Sequence, residues 1–268
     1  MLKAIRRLFE REEIAHPEAS LPAGQRVYAV GDIHGRLDLF EALIAAIEAD
    51  DAASGPAETT VILLGDLVDR GPDSAGVIAR AREWQRQRAV RILAGNHEEM
   101  FLQSFDKAET LKHFLRFGGK ETVLSFGVDA EAYLVASVDE VQAMMHAAVP
   151  ADVRAFLESF EDMIAIGDYL FVHAGIAPQV PFEEQRTGDL RWIREPFLSH
   201  PEPFGAVIVH GHTISDEPQD RGNRIGIDTG AYLSGRLTAL VLEGSTRRYL
   251  TATDDGGAIT AAARELAA

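Results

Sequence analysis

An α/β fold with parallel strand pairs is the class this sequence predicts, on three observations. Short apolar runs alternate with helical stretches through the first third of the chain, in the order strand, helix, strand, helix, strand. Each of those strands runs into a glycine-led motif carrying Asp, Asn or His, and open α/β sheets place ligands past the carboxyl ends of their strands. The apolar fraction, 46% of 268 residues, is enough for a real core in one large domain or two small ones.

The elements follow in order. Residues 17–24, with Pro17, Pro22 and Gly24, read as a linker into a first strand at 26–30. Helical spacing of Leu39, Leu43, Ile44 and Ile47 predicts a helix over 37–49. Gly55 and Pro56 make 51–58 a loop. The run 60–64 predicts a buried second strand, 73–88 a second helix and 90–93 a third strand. From Glu98 to about Glu161 the pattern turns helical, with Phe101, Leu102, Phe105, Leu111, Phe114, Leu115 and Phe117 on its early turns. Gly118-Gly119 interrupts this stretch, which reads as an insertion over a site. Strands at 163–166 and 169–172 flank Gly167-Asp168, a hairpin signature. Further strands are expected at 206–209, 224–227, 237–242 and 247–251, the last two joined by Glu243-Gly244-Ser245. From Asp254 the chain is small and polar, then Ala-rich, and is expected to fray. The domain reading is an extension and linker over 1–24, one catalytic domain over 25–252 with the helical insertion at about 101–161, and a tail over 253–268.

A formal net charge of -16 repels nucleic acid and anionic membranes, so neither is expected as a partner. It also repels phosphorylated substrates, so a phosphate site would need local positive charge from metal or Arg. With no Cys, disulfides, thiolate catalysis and cysteine zinc sites are excluded. A cytoplasmic location is expected. The N-terminus lacks the apolar stretch of a signal peptide, and no window of about 18 apolar residues exists to span a membrane. Residues 2–9 are amphipathic and basic, and read as a helix packed on its own domain.

The chemistry lies in five motifs: Gly31-Asp32-Ile33-His34-Gly35, Gly65-Asp66-Leu67-Val68-Asp69-Arg70-Gly71, Gly95-Asn96-His97-Glu98, His173-Ala174-Gly175 and His210-Gly211-His212-Thr213. On an extended strand end, residues two apart point to one side, so Asp32 and His34 can bind one cation together. Asp66 can bridge two ions. Asn96, His173 and His212 can serve a second. Mixed nitrogen and oxygen ligands suit Mn, Fe or Zn. Two ions about 3.5–4 Å apart can acidify a bridging water and hold an attacked phosphate. His97 is the best candidate to protonate the leaving group, with Asp69 favouring its charged form. Arg70 can grip phosphate oxygens bidentately. Taken singly, a Gly-Asp pair is an ordinary turn, Asp69-Arg70 a surface ion pair and His173 a core histidine. Five such motifs in one order, all after strands, point to a site. His210 reads as a packing or supporting residue, since one histidine of its motif completes the set. His16, His113, His146 and His200 carry no role.

These motifs resemble the metallophosphoesterases, and within them the serine/threonine phosphoprotein phosphatase family of the calcineurin-like group. Its Gly-Asp-x-His-Gly, Gly-Asp-x-Val-Asp-Arg-Gly and Gly-Asn-His-Glu blocks stand here without departure. The His-Ala-Gly and Gly-His-Thr blocks and Phe117-Gly118-Gly119-x-x-Thr122 look most like its bacterial and bacteriophage branch. The resemblance covers about residues 26–242. It implies a β-sandwich of two mixed sheets flanked by helices, a four-layer α/β/β/α architecture with a helical cap insertion. It implies Asp32, His34 and Asp66 on one metal ion and Asp66, Asn96, His173 and His212 on another, Mn first, with Fe or Zn as alternatives. It implies His97 as general acid supported by Asp69, and Arg70 on phosphate, with Asn96 also facing it. A second phosphate arginine is expected in Trp192-Ile193-Arg194, with Arg194 chosen and Arg191 its rival. The activity implied is a phosphatase acting on phosphoproteins or phosphopeptides, with dinucleoside tetraphosphate hydrolysis as the alternative. Hydrolases of that second kind tend to carry Gln at the position of His34 and Asp at that of Glu98, which weighs against it.

Overall fold

The computed structural model describes residues 19–264, so the basic segment at 2–9 lies outside the described residues. β1 (Gln25–Val30) is followed by α1 (Leu37–Ala53), β2 (Glu58–Leu63), α2 (Ser74–Gln87) and β3 (Val90–Ile92). β1 pairs parallel with β2, and β2 with β3. α1 continues beyond the expected stop at 49 and takes up the start of the expected 51–58 loop. Acidic residues oppose a helix carboxyl terminus. Here Asp50 is held by both Nη atoms of Arg248, at 2.5 and 2.6 Å, and Asp51 by Arg26 and Arg88, at 2.8 and 2.9 Å. α2 starts where expected: Asp73 Oδ1 accepts the Gly76 N–H at 2.7 Å and satisfies one of the helix's open donors.

The insertion is helical, as read, and its first helix α3 (Asn96–Gln103) begins inside the third motif. Short helices follow at Ala108–Phe114, Lys120–Ser125, Ala130–Val135, Val138–Ala148 and Ala151–Glu158. Gly118, at φ +109°, breaks the helical path and turns its carbonyl to accept the Arg70 N–H at 3.0 Å. Phe101 stacks on Phe114 and Phe126, with ring centroids 5.4 and 6.0 Å away. Leu111, Phe114, Val123, Val141, Met145 and Leu157 share one continuous core with α1, α2 and the outer face of the first sheet. The insertion is therefore a layer of the same domain. Phe117, next to the Gly118 turn and outside helical geometry, is 43% exposed, unlike Phe101, Phe105 and Phe114.

Two mixed sheets pack face to face. The first has the order β11-β10-β9-β1-β2-β3, with β9 at Arg236–Glu243, β10 at Thr246–Thr253 and β11 at Thr260–Arg264. The second has the order β4-β5-β6-β8-β7, with β4 at Met163–Ile166, β5 at Tyr169–Val172, β6 at Val207–His210, β7 at Gln219–Asp220 and β8 at Arg224–Gly226. Side chains alternate across each strand. Tyr28, Val30, Val61 and Leu63 face the helices, while Val27, Ala29, Ile62 and Leu240 meet Tyr169, Phe171, Val209 and Ile225 between the sheets. On the far side of the second sheet Leu170, Val172 and Ile208 pack under the six-residue helix Thr187–Trp192 and irregular chain that includes Ile176 and Phe197. This is the sandwich of mixed sheets flanked by helices, with a thinner outer layer on one side.

The tail expected to fray past Asp254 instead turns and adds β11 antiparallel to β10. Without it, β10 would present an open edge, which readily accepts another strand. Asp254 also meets Arg36 at 2.8 Å, and Ile259 and Ala261 pack on the core. Among the described residues no helix is long and apolar enough to cross a membrane.

Candidate metal centre

Five loops leave the carboxyl ends of β1, β2, β3, β5 and β6, and they carry the five motifs to one place. Loops one and two are zipped by backbone hydrogen bonds. The N–H groups of Ile33 and His34 donate to the Asp66 carbonyl at 3.1 and 2.8 Å, and Gly71 N–H donates to the His34 carbonyl at 3.0 Å. Among the described residues, six that are not glycine have left-handed backbone: His34, Asp66, Asp69, Arg70, Gln179 and His212. All but Gln179 are predicted site residues. Such conformations are costly for L-residues and persist where surrounding structure over-determines them. Gly211 leaves room for a neighbour: a Cβ there would lie 2.0 Å from Asp32 Oδ1.

Asp66 is the centre of the arrangement. Its Oδ2 lies 3.4 Å from His173 Nε2 and 3.6 Å from His34 Nε2. Two groupings share it: His34, Asp66 and His97, and Asp66, His173 and His212, each with ligand atoms within 4.8 Å of one another. Asn96 Oδ1 joins the second, 3.0 Å from His173 Nε2 and 2.8 Å from His212 Nδ1. The geometry therefore brings together Asp66, Asn96, His173 and His212. His34 and Asp66 also meet. Asp32 is the exception and joins neither grouping. Its carboxylate accepts the His212 backbone N–H at 3.0 Å, which draws it toward the fifth loop.

The donor set fits divalent cations on three observations. His34 Nδ1 donates to the Val68 carbonyl and His173 Nδ1 to that of Leu64, both at 2.7 Å, which turns each Nε2 toward Asp66. His212 Nε2 is buried with no hydrogen-bond partner among the described residues. Most decisively, Asp32 and Asp228 lack compensation, whereas burial opposes charge on Asp66 but His173, His97 and His34 hold it well below the usual carboxylate range. Burial and neighbouring Asp228 push Asp32 well above the usual carboxylate range, and burial, with Asp66 adding to it, lifts Asp228 to about 6. Burial opposes charge on His173, yet Asp66 and Asp32 carry it up to about 10. With Asp32 and Asp228 pushed upward, the cluster calls for more positive charge than its histidines provide.

Beside it, His97 and Asp69 form a dyad. His97 Nδ1 lies 2.6 Å from Asp69 Oδ2, and Asp69 Oδ1 accepts from Thr122 Oγ1 at 2.6 Å. The Asp69 N–H donates to Ser74 Oγ and Thr122 Oγ1, both at 2.9 Å. Burial works against charge on His97, but Asp66 and Asp69 outweigh it and raise its pKa. Its Nε2 lies 3.1 Å from Arg70 Nη2. Arg70 lies over the Tyr232 ring, 4.6 Å from its centroid. Arg191 is engaged by Asp162 at 2.7 Å and Glu99 at 3.3 Å. Arg194 is exposed, makes no side-chain hydrogen bond or ion pair among the described residues, and its charge is felt at His212. His210 packs edge-on against Phe197 and joins no ligand grouping.

Four features escaped the sequence reading. Glu98 is buried, and its carboxylate accepts from the N–H groups of Gly95, Asp66 and Leu67 at 2.9, 2.8 and 2.7 Å, bolting the third loop to the second. Burial, with Asp66 adding to it, lifts Glu98 to about 7. Ser74 and Thr122 hold Asp69. Asp228 follows β8 as Asp32 and Asp66 follow their strands, so the same rule of acid after apolar run would have found it. Tyr232 gave no sequence signal.

Residues 25–234 match the calcineurin-like phosphoesterase family. The chain is 29% identical over 220 residues to the serine/threonine-protein phosphatase 1 of Salmonella typhimurium strain LT2, covering 80% of this chain and 90% of that protein. It is 27% identical over 235 residues to the asymmetrical bis(5'-nucleosyl)-tetraphosphatase PrpE of Anoxybacillus flavithermus strain WK1, covering 79% and 88%. Among solved structures, a cold-active protein tyrosine phosphatase superposes with a TM-score of 0.57 at 19% identity, covering 92% of this chain and 80% of that one. At that identity the likeness speaks for the fold alone.

Proposed function

The chain belongs to the calcineurin-like phosphoesterase family, and from that premise we propose that this metal-dependent phosphoester hydrolase is a serine/threonine protein phosphatase, a phosphomonoesterase acting on phosphoproteins or phosphopeptides. The observation that carries the reading is the His97–Asp69 contact of 2.6 Å beside the shared ligand Asp66. When bound, two divalent transition ions, Mn before Fe or Zn, would supply an acidified water and positive charge against the phosphate. Asp32, His34 and Asp66 would hold one, and Asp66, Asn96, His173 and His212 the other. His97 then gives its Nε2 proton to the leaving alkoxide oxygen, while Asp69 stabilises the charged imidazole through Nδ1. Arg70 grips phosphate oxygens in a fork matched to them, with Arg194 and Asn96 as further contacts. Arg191 is already committed to two carboxylates, which favours Arg194 for this role.

The likeness to PrpE favours a second reading, hydrolysis of dinucleoside tetraphosphates. Glu98 carries no weight against it, because its carboxylate faces backbone N–H groups of the motif loops. The experiment is a comparison of kcat/KM on a phosphoserine peptide, a phosphotyrosine peptide and a dinucleoside tetraphosphate. The phosphoserine peptide is expected to be fastest and the dinucleotide slowest. Much faster cleavage of the dinucleotide than of any phosphopeptide would make the second reading the correct one.

A further inference from the structure

Next to the metal centre, on the other side of residues 210–213, lies a cavity of about 240 Å³. Its walls include His210, Thr213, Ser215, Gln219, Arg221 and Arg224, and no Asp or Glu. That stands out in a chain of net charge -16. Neither arginine forms an ion pair among the described residues. Arg221 Nη2 donates to Gln219 Oε1 at 3.1 Å. Arg224 is half-buried and held in place by neutral groups: it donates to Asn223 Oδ1 at 3.1 Å and to the Leu198 carbonyl, and it lies 5.8 Å over the Phe197 ring. Burial and then the neighbouring Arg221 lower the Arg224 pKa, and Glu195 offsets this only from beyond ion-pair distance. A fixed guanidinium beside a second one, with no carboxylate in ion-pair reach, favours an anion between them. Independently, Thr213 Oγ1 is buried with no hydrogen-bond partner among the described residues. A buried hydroxyl left open in a folded protein calls for a ligand or an ordered water.

We propose that this cavity is a second anion site, taking a phosphate group between Arg221 and Arg224 with Thr213 donating from the wall. Guanidinium forks match tetrahedral oxyanions, and the volume accommodates a phosphate or a small phosphate ester. The site lies beside the reaction centre and shares no residue with it. Free phosphate and a phosphoryl group carried on a substrate present the same chemistry to it.

The test is equilibrium dialysis of labelled inorganic phosphate against the metal-loaded protein. Parent, Arg221→Ala and Thr213→Val are compared, with thermal melting to establish folding. Arg221 is exposed, and the Thr213 hydroxyl bonds nothing among the described residues, so both variants should fold. Each variant is expected to lose one equivalent of bound phosphate, or to bind it about tenfold or more weakly, in line with the strength of hydrogen bonds to charged groups. This difference holds whether or not the metal centre itself retains phosphate, so failure of the proposed function would not be mistaken for failure of the site. Two kinetic arms then separate the occupants. A substrate-borne phosphoryl group predicts a raised KM for a doubly phosphorylated peptide in both variants, with that of a simple aryl phosphate unchanged. Free phosphate predicts unchanged KM for both and an altered response to added phosphate. Either pattern supports the site. Equal phosphate stoichiometry and affinity in all three proteins would overturn it, and would leave Thr213 to an ordered water.

Discussion

At the amino end of β1, Arg26 is 1% exposed, yet it meets Asp51 at 2.8 Å and Glu243 at 2.9 Å and donates to the Gly55 carbonyl. Arg88 and Arg248 complete that cluster against Glu48, Asp50 and Asp51. Past the carboxyl ends of β1, β2 and β8, Asp32, Asp66 and Asp228 are as deeply buried as Arg26, but among the described residues none of them pairs with Lys or Arg, and Asp66 meets only histidines. Both regions gather acidic side chains from distant parts of the chain, but those of the first stay partly exposed, Glu243 by 49% and Asp51 by 21%, whereas those of the second are buried. In the first each carboxylate is matched by a guanidinium, so the cluster is finished by folding. In the second the histidines match Asp66 while Asp32 and Asp228 are left without a partner charge. Buried carboxylates without a guanidinium partner are what set the candidate metal centre apart.

The comparison can be broken by four measurements, in falling order of effect. Chelation should take turnover of an aryl phosphate to background, and Mn should restore it; retention of full activity by metal-free protein would erase the distinction between the two ends. His97→Asn should lower turnover of an alkyl phosphate by about 10²–10⁴-fold, the usual range for a general acid. Bound metal, read by elemental analysis, should stay unchanged, and the loss should shrink for aryl esters, whose leaving groups need little protonation. At the other end Arg26→Met should cost about 1.5–3 kcal/mol of unfolding free energy by removing its charge-assisted hydrogen bonds to Asp51 and Glu243. Its kcat below the melting transition should match the parent; a matching loss of activity would mean that the two clusters are coupled through β1. The smallest effect is expected from Tyr232→Leu, which removes the ring under Arg70. A cation–π contact of about 0.5–2 kcal/mol sets a rise in KM of a few-fold or more, with metal content unaltered.

The gathering of the five motifs was legible in the sequence, because its logic is local. An apolar strand, a glycine and an Asp, Asn or His stand close together in the chain, and the five motifs needed only an order. The matched end was not legible. Arg26 and Glu243, or Tyr28, Asp50 and Arg248, are far apart in sequence and meet only after β9 and β10 have paired back onto β1. The same nonlocal pairing hid β11, whose Ala-rich run has no strand signal apart from the open edge it covers. Glu98 was read as a mark of substrate because it stands in a motif. Its side chain holds loops together, so its identity reports how those loops are spaced. Asp32 shows another nonlocal term: residue type and spacing suggest a ligand beside His34, and the His212 backbone N–H, from a loop 180 residues away, holds its carboxylate at 3.0 Å.

The left-handed backbone at His34, Asp66, Asp69, Arg70 and His212 has a consequence for laboratory evolution. A non-glycine residue in that conformation carries roughly 1–2 kcal/mol of strain. A library randomised at these five positions and sorted only for soluble expression should therefore drift toward glycine and asparagine, gaining thermal stability as it loses chemistry. Survivors sorted for phosphate release should hold the parental residues and the lower melting temperature. The same five positions would then be the place where stability and activity are traded against each other in this fold.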